Sequence, residues 1–149
     1  MPMIRPSDVL AAVKRFWDAD AALIALVPGG LHFGRVSDTH DASPIKAPYA
    51  VAKITEGEAQ WNSSLAYVQP WTIELRVWSE AGPEDAGKIH RALDVVFDRD
   101  RYDEMFLDSG RVLDLRALPG ELSEDDARKD AKDQMILARH WEVLVQGSR

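Results

Sequence analysis

Hydrophobic and polar positions recur with two different periods along this chain, and the change of period separates predicted helices from predicted strands. Near the N-terminus, apolar residues recur every three to four positions over Val9–Trp17, with Ser7 as the predicted N-cap. A second short helix follows, capped by Asp20 and ended by Pro28 and the two glycines after it. The N-terminal part therefore predicts two helices and a turn.

The rest of the chain alternates mostly with a period of two, which is typical of strands with one buried face. The clearest case is Leu65–Trp78, where Trp71, Ile73, Leu75 and Val77 point one way and polar residues point the other. Shorter runs predict four more strands, over residues 31–36, 48–55, 112–118 and 135–145.

One helix interrupts these strands. It begins at Pro83, has a buried stripe from Ala86 to Phe97, and is predicted to end near Arg99–Arg101. The predicted order is therefore ααβββαββ in a single domain, residues 1–149. This order predicts an α+β fold, with a mainly antiparallel β-sheet and helices packed on one face.

Two polar segments are predicted to be exposed loops. Ser37–Ala47 contains Pro44 among Asp, Thr and Ser residues, and Glu121–Asp133 is densely charged but too short for a domain linker. We expect Ser37–Ala47 to be the loop most suited to contact a partner.

Composition excludes several kinds of function. The net charge is −7 and the sequence pI is about 5.0, which argues against a nucleic-acid-binding surface. The chain has no cysteine, so disulfides, thiolate nucleophiles and cysteine-ligated zinc are excluded. The first residues lack the apolar core of a signal peptide, and no apolar run approaches the roughly 18 residues of a membrane span. A cytoplasmic protein, or part of something assembled there, is expected.

Motifs for catalysis or ligand binding are missing from the sequence. None of the four histidines, His32, His40, His90 and His140, has the spacing of a metal-binding pair. The acidic run Asp98–Asp108 lacks the glycine and the closing glutamate of an EF-hand loop. No nucleophile elbow or glycine-rich phosphate loop occurs either. We therefore predict no catalytic, cofactor-binding or metal-binding residue, and no enzyme.

Charged and aromatic residues on the predicted strands suggest an interaction surface instead. Charges of both signs recur there, and tryptophan and arginine are enriched at interface hot spots. The candidate subunit or partner interface consists of Trp61, Glu74, Arg76, Trp78, Asp114, Arg116, Arg139 and Glu142. Two alternatives are a sheet face that is merely solvated and tryptophans that are incidentally exposed. The sharper interpretation is a face that meets a neighbouring subunit through alternating charge, which fixes register.

Five segments carry a family resemblance through their order and spacing: residues 19–36, 47–51, 71–97, 112–120 and 135–146. Over about Val9–Val145 the chain resembles the phage tail-completion and head–tail joining proteins, including tail terminators. Both predicted loops look longer than the plainest form of that pattern.

The resemblance implies a small α+β subunit that forms a ring, commonly a hexamer, at the head-proximal end of the tail. Such a ring stops tail-tube growth and joins tail to head, without catalysis or cofactor. The implied partners are the tail-tube protein and the head connector or neck proteins. DNA would pass through the channel without specific binding, which suits the negative net charge. The implied location is the virion, after assembly in the host cytoplasm.

The residues leave the particular role open among terminator, head–tail joining protein and another neck component. A small binding module that recognises a peptide at a sheet edge is the alternative from another class. A small α+β enzyme is a further one, but it requires convergent acid and base groups that no spacing indicates.

Overall fold

The computed structural model describes residues 3–33, 48–63, 65–79, 83–118, 128–129 and 135–148. Its helices are α1 (Pro6–Asp18), α2 (Ala21–Leu26) and α3 (Pro83–Val96), and a 3₁₀ turn spans Arg99–Glu104. Its strands are β1 (Leu31–Phe33), β2 (Tyr49–Glu56), β3 (Gln60–Trp61), β4 (Ala66–Ser79), β5 (Phe106–Leu107), β6 (Gly110–Ala117), β7 (Arg128–Lys129) and β8 (Met135–Ser148). The predicted α+β class is confirmed.

Local signals fix the N-terminal helices. Helix α1 begins one residue before the predicted N-cap Ser7, because Pro6 suits the first helical position and the Arg5 N–H donates to Asp8 Oδ2 at 2.8 Å. Helix α2 begins as predicted, with Asp20 Oδ1 accepting from the Leu23 N–H at 2.8 Å.

The turn after α2 joins the helices to the sheet. Gly30 has φ +81°, a conformation that disfavours side chains with a Cβ. Its carbonyl accepts from the Ala50 N–H at 2.9 Å, and the Gly29 N–H donates to the Pro48 carbonyl at 2.9 Å. The predicted turn at Pro28–Gly30 therefore connects directly to the start of β2.

The sheet has the order β1-β2-β4-β8-β6-β5, with β3 paired to β4 and β7 paired to β8. Strands β1 and β2 run parallel, and the other pairs are antiparallel. The long strands β4 and β8 pair along their full lengths, from Ala66–Ser148 to Ser79–Met135. This ribbon is the centre of the sheet.

One hydrophobic cluster lies against one face of this ribbon. The alternation in β4 places Trp71, Ile73, Leu75 and Val77 in that cluster, as predicted. Buried residues of all three helices belong to the same cluster: Val9, Val13, Trp17, Leu23, Ile89 and Leu93 among them. We call the sheet face on this side the core face and the opposite one the outer face.

The order of elements is longer than the predicted ααβββαββ, because β3, β5 and β7 add three two-residue strands. Such short strands cannot show a period of two, so the sequence gives no signal for them. Helix α3 ends at Val96, before the predicted Arg99–Arg101, because Asp98 caps the 3₁₀ turn by accepting from the Asp100 N–H at 2.8 Å.

The two predicted loops fall mostly outside the described residues. Ser37–Ala47 lies wholly outside them. Within Glu121–Asp133 only Arg128–Lys129 is described, and the loop prediction is wrong there, because these residues form β7 and pair with Ile136 and Met135.

Candidate interaction surface

Six of the eight predicted interface residues lie on the outer face. Glu74, Arg76 and Trp78 occupy alternate positions of β4, opposite in direction to the core residues between them. Glu142 of β8 pairs with Thr72 on one side and with Arg116 of β6 on the other. The sheet thus brings residues far apart in sequence onto one surface.

A β-bulge decides where the charges of β6 point. Val112 pairs with Val145 on the core face, but Asp114 pairs with Leu144 on the outer face, because Leu113 is an extra residue between them. Without the bulge, Val112 and Asp114 would share a face. The bulge therefore buries the apolar residues of β6 and turns Asp114 outward.

Ion pairs within the subunit hold most of these charges in place. Glu74 Oε1 lies 2.5 Å from Arg76 Nε, and Glu74 Oε2 lies 2.9 Å from His140 Nε2. Arg116 Nη2 is 2.8 Å from Glu142 Oε1. Burial opposes ionisation of Glu74, but its hydrogen bond with His140 and the charge of Arg76 outweigh it and lower its pKa. The outer face therefore presents fixed charges of both signs.

Trp78 is on the outer face but is not an exposed anchor. Its indole stacks on the ring of Tyr49 with centroids 5.1 Å apart, and the residue is 4% exposed. The alternating pattern places Trp78 on the correct face, whereas its stacking on Tyr49, which is distant in sequence, follows from the pairing of β2 with β4.

Arg139 and Trp61 lie on the core face, apart from the other six. The Arg139 side chain is 17% exposed; its Nη2 is 2.9 Å from Asp94 Oδ1 on α3, and its guanidinium lies 5.6 Å from the Trp141 ring centroid. Arg139 and Glu142 are three positions apart in one strand, so they cannot share a face. Trp61 pairs with the core residue Tyr67.

Three basic outer-face residues with described side chains are absent from the predicted set, and one of them is Arg111 of β6, which pairs with Gln146 of β8. Lys53 pairs with Glu74 across β2 and β4, and His140 pairs with Glu74 across β4 and β8. The period of two in β8 was the available signal for His140, since it is two positions from Glu142. The position of Lys53 beside Glu74 follows from the pairing of β2 with β4, which no local pattern in the sequence indicates.

The other described histidines have local partners. His32 Nε2 lies 2.6 Å from the Gly29 carbonyl oxygen, and His90 Nδ1 lies 3.7 Å from Asp94 Oδ2. Burial lowers the pKa of His90, and the Asp94 carboxylate opposes this only in part. Among the described residues, no group of three His, Asp or Glu side chains is placed to hold a metal ion.

Two open cavities flank the β5 edge of the sheet. One, of about 440 Å³, is lined by Tyr102, Met105, Phe106 and Arg111 among others. The second, of about 360 Å³, lies between α1 and the 3₁₀ turn. In the part of the chain that the structure describes, no helix is long and apolar enough to cross a membrane.

The comparisons with known proteins find a similar fold but no matching family or sequence. No protein-family model matches the sequence, and no curated protein matches it. The fold is similar to that of a chain in a solved structure described as the virion of a native gene transfer agent (GTA) particle. That similarity has a TM-score of 0.67 at 22% identity and covers 92% of this chain and 93% of the other. At this identity it shows a shared fold.

Proposed function

We propose that this protein is a structural, non-enzymatic subunit of a phage-derived particle. The observation that carries the proposal is the fold shared with a chain of the gene transfer agent virion over almost the full length of both chains. The resemblance of segment order to tail-completion proteins supports the same conclusion.

The proposed role is a ring, with a hexamer as the expected form, at the head-proximal end of the tail. There the ring ends tail-tube growth and joins tail to head, so its partners are the tail-tube protein and the connector or neck proteins. It acts as one domain without a cofactor, and it forms in the host cytoplasm. The net charge of −7 fits a channel that DNA crosses without being held.

The outer face is proposed to be the contact with a neighbouring protein of the particle. Buried residues of the three helices belong to the hydrophobic cluster on the core face, which supports the outer-face charges as the surface for contacts. Its predicted charges, Glu74, Arg76, Asp114, Arg116 and Glu142, come in both signs. Paired charges of this kind contribute register and partner choice more than affinity. The ion pairs of Arg76 with Glu74 in β4, and of Arg116 with Glu142 between β6 and β8, hold the pattern in one arrangement before a partner arrives.

Deletion of the gene in the source cell, followed by electron microscopy of the particles, tests the proposed role. We expect tail-less heads and tail tubes of uncontrolled length, and restoration by the wild-type gene. Particles of normal tail length and normal yield in the deletion strain would refute it.

Complementation with Arg76→Glu tests the outer face. The Arg76 side chain is 53% exposed, so loss of its pair with Glu74 should lower the thermal transition only slightly, while the reversed charge prevents particle completion. Lys14→Glu is the matched control, because Lys14 lies on α1 and its side chain is 39% exposed. Full complementation by Arg76→Glu would remove this face from the proposal.

A further inference from the structure

The exposed apolar side chains are concentrated at one end of the sheet. Among the described residues, eight large apolar side chains are more than a third exposed, and five of them lie at this end: Met3, Trp61, Leu65, Tyr102 and Phe106. The end is defined by one row of paired residues across five strands: Trp61, Tyr67, Gly147, Gly110 and Leu107. Exposed apolar surface concentrated in this way is characteristic of protein contacts.

On one edge of this end, two exposed apolar side chains lie close together in sequence: Trp61 in β3, and Leu65 just before β4. Trp61 is 44% exposed, although its ring lies 5.0 Å from that of Tyr67, and Leu65 is 65% exposed. Hydrogen bonds hold this segment: the Asn62 N–H donates to the Ala66 carbonyl at 2.9 Å, and the Ala66 N–H donates to Ser63 Oγ at 3.1 Å. We call Trp61 and Leu65 the hairpin tip.

On the other edge lies the cavity of about 440 Å³, which we call the edge groove; it is lined by Tyr102, Met105, Phe106, Leu107, Arg111 and Leu113 among others. Met105 and Leu107 form a buried apolar floor, while Phe106 is 64% exposed at the rim. The groove is of a size that accommodates large apolar side chains.

The topology places the tip and the groove on opposite edges at the same level. Strand β8 occupies one side of β4 along its whole length, so β3 must lie on the other side. Strand β5 ends the sheet beyond β6. The row from β3 to β5 contains four interstrand spacings, or about 19 Å. A contact between the tip edge of one copy and the groove edge of the next joins two different surfaces. Repeated contacts of this kind close into a ring when the rotation that relates neighbouring copies divides a full turn evenly.

One charge at each edge has a counterpart of opposite sign at the other. Glu58 is exposed in the connection that leads to β3, and Arg111 is exposed at the edge groove, whose lining also includes the exposed Asp103. Neither Glu58 nor Arg111 forms an ion pair with any residue that the structure describes. A glutamate beside the tip and an arginine beside the groove favour contact between the two edges and disfavour contact of either edge with itself.

We infer that the hairpin tip of one copy of this chain inserts into the edge groove of the next copy, with Glu58 facing Arg111. The inference rests on the proposed ring and specifies its copy-to-copy contact. Trp61 and Leu65 supply the apolar anchor, and the charges fix orientation. The outer-face charges Glu74, Arg76, Asp114, Arg116 and Glu142 are left for other proteins of the particle.

Disulfide cross-linking tests the contact, because the natural chain has no cysteine. Asn62→Cys lies at the tip and Asp103→Cys lies at the groove, and both natural side chains are exposed. Oxidation of the double variant with the tail-tube protein present should give a ladder that ends at a closed ring. A mixture of the two single variants should stop at dimers. As a control, Lys53→Cys combined with Asn62→Cys should give no ladder.

The outcomes separate this inference from the proposed ring. Multi-copy assemblies in light scattering without cross-links between Asn62→Cys and Asp103→Cys would overturn the tip–groove contact alone. Monomers in every condition, including with the tail-tube protein, would overturn both.

A charge exchange provides a second test that does not depend on cysteine chemistry. Glu58→Arg and Arg111→Glu should each raise the Kd between copies by about tenfold or more, and the double variant should recover most of the affinity. The urea midpoint of unfolding should not change in any of the three, since both side chains are exposed. If the double variant bound as weakly as the sum of the two single effects predicts, the pairing of Glu58 with Arg111 would be contradicted.

Discussion

Replacement of Gly147 by alanine should destabilise the protein, because β8 has no room for a methyl group at this position. A Cβ at Gly147 would overlap Cζ and Oη of Tyr67 and would lie 2.7 Å from Cε1. The ring cannot easily move aside, since Tyr67 is fully buried and its hydroxyl accepts a hydrogen bond of 2.7 Å from the Ile4 N–H. The alanine methyl group would therefore occupy the space that the Tyr67 ring and hydroxyl fill when the hydroxyl accepts this hydrogen bond.

The expected magnitude follows from these two contacts. Overpacking of a well-packed interior costs about 1–3 kcal/mol, and loss of the hydrogen bond between Ile4 and Tyr67 adds about 0.5–1.5 kcal/mol. We expect Gly147→Ala to lower the free energy of unfolding by about 2–4 kcal/mol. Where space is available, replacement of glycine by alanine within a strand or helix raises the free energy of unfolding by about 0.5–1 kcal/mol. The sign of the measured change therefore already distinguishes a crowded site from an open one.

Urea unfolding of the wild type and four variants measures this effect: Gly147→Ala, Gly87→Ala, Tyr67→Leu, and Gly147→Ala combined with Tyr67→Leu. Gly87→Ala in α3 is the matched control, because a Cβ there meets nothing within 4 Å, and it should be as stable as the wild type or more so. Gly147→Ala combined with Tyr67→Leu should cost less than the sum of the two single changes, because the smaller side chain vacates the space. A Gly147→Ala variant within about 0.5 kcal/mol of the wild type would refute the steric argument, as would strict additivity with Tyr67→Leu.

Three further substitutions test the core and the ion pairs. Leu75→Ala should cost about 2–5 kcal/mol in urea unfolding, because Leu75 is fully buried; a loss below about 1 kcal/mol would contradict its place in the core. Asp94→Asn should cost about 1–3 kcal/mol, because it removes the carboxylate that pairs with the mostly buried Arg139, and the loss should shrink in an Arg139→Leu background. The pKa of Glu74 in the folded protein is below the usual 4.5. Its ionised carboxylate therefore contributes its full stabilisation above pH 4.5, and this contribution is lost as the pH falls through the folded-state pKa. Glu74→Gln should therefore lose less stability than the wild type between neutral pH and acid, and equal pH profiles would contradict the role of its bond with His140.

Local patterns were sufficient to predict the framework of the fold. Asp20 and Pro28–Gly30 mark the ends of α2 through interactions between near neighbours, and the alternation around Leu75 identifies the core side of β4. These signals need only a few consecutive residues, which is why the α+β class follows from them.

The candidate surface was predictable only in part. The position of Glu74 and Arg76 on one face follows from their spacing, but the outward turn of Asp114 depends on the bulge at Leu113, which pairing with β8 defines. The stacking of Trp78 on Tyr49 in another strand follows from the pairing of β2 with β4. Contacts between distant segments decide both, and a single sequence does not encode them in any short pattern.

The close fit of Tyr67 against Gly147 is of the same kind. Gly147 stands near the end of β8 without any turn signal around it, and its role appears only when β4 is paired beside it. The same pairing creates the row of residues that connects the hairpin tip to the edge groove.

Electron microscopy of the purified protein, alone and mixed with the tail-tube protein of the same particle, tests the central proposal most directly. We predict closed rings with rotational symmetry, free or seated at one end of the tube, and tubes that stop growing once they are capped. Single subunits in both samples, with tubes that lengthen as if the protein were absent, would contradict a ring that terminates the tail.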